Sequence, residues 1–118
     1  MRIGIDIDDT MSRNWAFFRF LAAAFLDGGH EVFVVTFRED SDQTARELEA
    51  RGVRCSRLIC ASPEALSTQG WAAWKGAVCQ REGIEIFFDD MEEVINHLPS
   101  QTVGLMVTDP QRGLIYYD

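Results

Sequence analysis

An α/β fold on a five-stranded parallel sheet, covered on both faces, is what this chain predicts. Three observations carry that reading. Strand and helix signals alternate along the whole sequence. The strand segments, such as EVFVVT at Glu31–Thr36 and IEIFF at residues 84–88, are apolar runs without strict alternation, as in strands buried on both faces. Two of these runs end in carboxylates. Asp6, Asp8 and Asp9 follow the first, and Asp89-Asp90 follow the fourth. Open α/β sheets bind ligands at the carboxyl ends of their strands.

The elements follow in order. Residues 2–6 form the first strand. From residue 13 to 26, Phe18, Leu21, Ala22 and Phe25 repeat at helical spacing, and Gly28-Gly29 stops the helix. Glu31–Thr36 is the second strand. Residues 41–51 read as a polar helix with Ala45 and Leu48 inward, capped by Asp40 with Gln43 at capping-box spacing and ended by Gly52. A third strand lies within residues 53–60, and residues 61–70, with Pro63 and Gly70, read as a loop. Trp71–Glu82 is a helix and residues 84–88 are the fourth strand. Met91, Val94, Ile95 and Leu98 then keep helical spacing until Pro99, and residues 103–107 form the fifth strand. A turn over 109–113 and a short strand over 114–117 complete the prediction.

A length of 118 residues suits one domain with a real core and leaves no room for a second. No apolar run is long enough to span a membrane, and the start shows neither a basic segment nor a cleavage site. Three cysteines, Cys55, Cys60 and Cys79, form no C-x-x-C pair and read as free thiols in a reducing cytoplasm. The net charge of −8 and the lack of a basic stretch disfavour a nucleic-acid partner. His30 and His97 read as structural, and Asp9 as a surface residue or one that supports the residues of the site from behind.

The acids at the strand ends call for a function. Two carboxylates about 4 Å apart repel by roughly 4 kcal/mol at an effective dielectric near 20. Such a cluster at a core strand's end implies a cation or a reaction. The segment Asp6-Ile7-Asp8-Asp9-Thr10 after an apolar strand resembles the D-x-D-x-[TV] opening of the haloacid dehalogenase-like (HAD) phosphohydrolases. Three further features resemble the family's remaining motifs: Thr36 ending the second strand, Lys75 in the helix before the fourth, and Asp89-Asp90 after the fourth. Lys75 is the only lysine in the chain, against ten arginines.

The resemblance implies a Rossmann-like three-layer sandwich with the first strand central and the fourth beside it. It implies that Asp6 attacks phosphorus and that Asp8 is the general acid and base, a division that splits one hard displacement into two easier ones. Thr36 would bond a phosphoryl oxygen, and Lys75 would reach phosphate and nucleophile. Mg²⁺ would take Asp6, the Asp8 backbone carbonyl and one of Asp89 and Asp90, with water and substrate oxygen. Thr10 and Arg38 are candidate substrate-binding residues. Arg38 could grip phosphate or pair with Glu39 or Asp42. Trp71 and Trp74 could wall the Lys75 stem or serve as core.

No cap domain is expected, because Met11-Ser12 leads almost directly into the first helix and residues 61–70 are too few. The expected activity is Mg²⁺-dependent hydrolysis of a phosphorylated substrate through an aspartyl phosphate. TFRED and WAAWK…IFFDD also resemble the phosphatase domain of polynucleotide kinases. A non-catalytic HAD-like or receiver-like signalling module that binds Mg²⁺ and phosphate is the alternative. Receivers, however, carry their acceptor Asp after the third strand, where this chain has Cys60-Ala61. The first helix is apolar around a wide arc, through Trp15, Phe17, Phe18, Phe20, Leu21 and Phe25, so part of it is expected to contact a second copy.

Overall fold

The computed structural model describes residues 1–108. The turn and short strand expected over 109–117 lie outside the described residues. Five strands form one sheet: β1 (Arg2–Ile5), β2 (Glu31–Thr36), β3 (Arg57–Cys60), β4 (Ile86–Asp89) and β5 (Val103–Met106). Their order is β3-β2-β1-β4-β5 and every pairing is parallel. The first strand is central with the fourth beside it. Parallel neighbours need crossovers over a sheet face, and the helices supply them. These are α1 (Trp15–Asp27), α2 (Ser41–Ala50), α3 (Pro63–Gln69), α4 (Trp71–Glu82) and α5 (Glu92–Asn96).

Alternation along the strands sorts the core into two layers. Ile3, Ile5, Val32 and Val34 meet Phe18 and Ala22 of α1 and Leu48 of α2. On the other face Phe33, Val35, Ile59 and Phe87 meet Trp74, Val78 and Cys79 of α4 and Val94 of α5. The result is a three-layer, Rossmann-like α/β sandwich. Gly4 in β1 is required by close approach, since a Cβ there would run into the Phe87 ring. Gly76 does the same between helices, where a Cβ would meet the His97 carbonyl.

Local signals set the helix ends. Asn14 Oδ1 accepts the Phe17 N–H at 3.0 Å and starts α1 after a 3-10 turn over Met11–Arg13. Asp40 Oδ1 accepts the Gln43 N–H at 2.9 Å and starts α2, as expected. Residues 61–70 differ from expectation. Seven of them form α3, with Ser62 Oγ accepting the Ala65 N–H at 3.1 Å and Pro63 in the first turn. Proline there costs no hydrogen bond, so it opens the helix instead of breaking the chain. Strand β4 begins at Ile86, later than expected, and runs through Asp89.

Antiparallel to the strands, α4 brings its first turn to the sheet edge where β1, β2 and β4 end. That edge holds the acids.

Candidate active site

Asp6 leaves β1 still tied to the sheet, its N–H donating to the Phe88 carbonyl at 3.0 Å. The chain then doubles back through residues 7–10, with Asp9 in the left-handed region at φ 62°. This return carries Thr10 beneath Asp6. The buried Thr10 hydroxyl donates to Asp6 Oδ2 at 2.9 Å. Lys75 reaches the same carboxylate from α4. Its Nζ donates to Asp6 Oδ1 at 2.7 Å and to Asp89 Oδ2 at 2.8 Å. The Lys75 side chain is 1% exposed, so its charge must be met inside the protein. Phe37 adds to that, its ring centroid 4.3 Å from Nζ.

Asp89 ends β4 inside the sheet, and its other oxygen accepts the Met91 N–H at 2.9 Å. Asp90 follows it and its side chain meets Asp6. Oxygens of Asp6, Asp89 and Asp90 all lie within 4.8 Å of one another, and all three residues are buried. Burial pushes the Asp6 carboxyl above the usual range, against the pull of Lys75, and Asp89 pushes it further. Burial raises Asp90 as well. Three carboxylates against one ammonium leave an excess of negative charge, which calls for a cation or protons. Close, buried oxygen donors are the ligand set of a hard divalent ion such as Mg²⁺.

Asp8 takes the opposite course. Its carboxylate stands outside this cluster and is gripped at both oxygens by Arg38, Nη2 to Oδ1 at 2.8 Å and Nε to Oδ2 at 3.1 Å. That pairing holds the Asp8 carboxyl below the usual range. The third arm of Arg38, Nη1, donates to Glu47 Oε2 at 2.8 Å. The partners of Arg38 are therefore Asp8 and Glu47, where the sequence had suggested Glu39 or Asp42. Glu47 was missed there. The helical phase of α2 sets Glu47 beside the inward Thr44 and Leu48, but it does not point to Arg38 as its partner. Thr36, the last residue of β2, is buried, and its Oγ1 accepts the Arg38 N–H at 3.1 Å.

The structure thus gathers Asp6, Thr10, Lys75, Asp89 and Asp90 into one buried corner and places Asp8, Arg38 and Glu47 on its rim. Thr10, a candidate for substrate contact, spends its hydroxyl on Asp6. Trp74 is core, and Trp71 stands half exposed. The cysteines are free, with burial pushing the Cys79 thiol up to about 12. His30 meets the chain's amino terminus and His97 the Glu93 carbonyl. Among the described residues no helix is long and apolar enough to cross a membrane. No family model, curated protein or solved structure matches the chain.

Proposed function

We propose that this chain is a Mg²⁺-dependent phosphomonoesterase of the HAD type, acting through an aspartyl phosphate on Asp6. One observation carries the reading: three carboxylates from the ends of two adjacent strands cluster, buried, and the only lysine of the chain bonds two of them, Asp6 and Asp89. Stability does not call for such a group, since buried ion pairs often do no better than apolar packing of the same volume. An unbalanced one costs more.

The residues present fit the metal. Asp6 and one or both of Asp89 and Asp90 would hold it, and it would supply charge neutralisation at the phosphoryl oxygens. The other steps belong to the chain. Asp6 attacks phosphorus, its carboxylate held at one oxygen by Thr10 and at the other by Lys75. The ester oxygen leaves with a proton from Asp8, and Asp8 then takes a proton from the water that cleaves the acyl phosphate. Thr36 directs its hydroxyl proton to a phosphoryl oxygen. Arg38 holds Asp8 ionised in the absence of substrate, so Asp8 gains its proton only once the incoming phosphate draws Arg38 off. β3 ends at Cys60 and Ala61 follows it, so a receiver's acceptor carboxylate has no counterpart there.

The test is hydrolysis of an aryl phosphate with Mg²⁺, with chelator, and after Mg²⁺ is restored. Turnover should appear, vanish and return in that order. Turnover indifferent to chelation would remove the metal from the mechanism.

A further inference from the structure

Beyond the phosphate position, the rim has two unlike sides. Towards α2 lies a groove of about 490 Å³ lined by Arg38, Glu39, Asp40, Gln43, Thr44 and Glu47. Three acids there face one arginine, and that arginine is already held by Asp8 and Glu47. Towards α4 lies an aromatic row. Trp71, the first residue of α4, packs edge-on against Phe37 with centroids 6.3 Å apart. Phe37 in turn packs on the buried Trp74, 5.7 Å away, and covers Lys75 Nζ at 4.3 Å. Lys75 Nζ lies 2.7 Å from Asp6. An unbroken run of side chains therefore leads from the proposed nucleophile to an indole that is 47% exposed. Phe37 and Trp74 close the core beneath it, so the outer half of that indole has no packing role in the fold.

We infer that the free face of Trp71 is a stacking platform for the nucleobase of a nucleoside monophosphate, whose phosphate sits at Asp6. The inference rests on the phosphomonoesterase reading and names its substrate class. The order of the run selects the class, since Lys75 Nζ at 2.7 Å from Asp6 and Phe37 at 4.3 Å from Nζ come before Trp71, whose ring is 6.3 Å from Phe37. An aryl phosphate places its ring one ester bond from phosphorus, where Lys75 and Phe37 intervene before Trp71 is reached. A nucleoside monophosphate interposes a pentose and carries its ring outward. An indole face accepts any base by stacking and needs no hydrogen-bond readout. The acidic groove opposite disfavours an anionic extension, which favours a mononucleotide over a polynucleotide.

Two measurements test it. The first compares kcat/KM for adenosine monophosphate and ribose phosphate in the wild type, Trp71→Ala and Trp71→Phe. The wild type should prefer the nucleotide by about 10- to 100-fold, the range that one base stacked on an aromatic gives. Trp71→Ala should collapse that preference through KM, and Trp71→Phe should keep most of it. The second needs no turnover: adenosine monophosphate is titrated into Asp6→Asn protein with Mg²⁺, and tryptophan fluorescence is followed. Quenching that is lost in Asp6→Asn/Trp71→Ala supports the platform, even if no phosphate ester is ever hydrolysed. Equal turnover of both substrates, with no quenching that depends on Trp71, overturns the platform and leaves the hydrolase reading standing.

Discussion

Asp6 and Asp8 are two residues apart, yet their side chains are 6% and 62% exposed. Each has a cation. Asp6 has Lys75 at 2.7 Å and Asp8 has Arg38 at 2.8 Å. The outcomes are opposite. At Asp6 burial outweighs the lysine and the carboxyl moves above its usual range, whereas at Asp8 the arginine outweighs burial and the carboxyl moves below. A similar ion-pair distance thus means different things in the dry corner and on the wet rim, because the desolvation cost differs. The corner holds a group under electrostatic strain that a metal can relieve. The rim holds a pair that water already screens and that a substrate can exchange.

Asparagine in place of each acid tests that division most strongly. Asp6→Asn should abolish turnover, because an amide cannot form the acyl phosphate, while circular dichroism stays native. Asp8→Asn should lower kcat by about 10²–10⁴, the usual share of a general acid. The loss should shrink on esters with good leaving groups, which need less protonation. If both variants lost activity alike on every leaving group, the assigned roles would not be separable.

Lys75 sharpens the comparison through stability. Lys75→Met removes the cation that both Asp6 and Asp89 contact and leaves three buried carboxylates unbalanced. Breaking a buried pair from one side costs about 3–5 kcal/mol. That loss should appear in denaturant unfolding with chelator, and Mg²⁺ should restore part of it by taking over the positive charge. Arg38→Met on the rim should cost far less. A Lys75→Met protein as stable as wild type without Mg²⁺ would mean that the corner is wetter than its burial indicates.

How much of this was legible in the sequence follows from what each signal depends on. The five strands were readable because each is an apolar run between turn residues, and the acids at the ends of β1 and β4 could be placed at one sheet edge. Lys75 stands out as the only lysine in the chain. The helix α3 is hidden in the sequence because Pro63 reads as a breaker, although Ser62 before it is a good cap and proline fits a first turn. The parting of Asp6 from Asp8 was not legible. Period-two alternation assigns faces only within a strand, and the chain leaves β1 at Asp6 for a turn whose path depends on Asp9 at positive φ. Nor was Glu47 visible as the second partner of Arg38, since that contact needs the docked position of α2.

The smallest effect concerns the rim pair itself. Exposed ion pairs are worth about 0.2–1 kcal/mol, so a double-mutant cycle of Asp8→Asn and Arg38→Met, measured with chelator at neutral pH, should give a coupling in that range. The Arg38 contact with Glu47 is lost in both arms of the cycle and cancels. The sign with pH is fixed by the lowered Asp8 carboxyl. A carboxyl held below its unfolded value adds stability that is full above the ordinary carboxylate range. That stability is lost as the pH falls through the folded value. The coupling should therefore fade on acidification below about pH 4 and should also weaken with added salt. The corner should behave otherwise, with salt affecting it little. A rim coupling of several kcal/mol that ignores salt would put Asp8 and Arg38 in the same dry medium as Asp6 and Lys75. Arg38 would then be too tightly held for an incoming phosphate to draw it off.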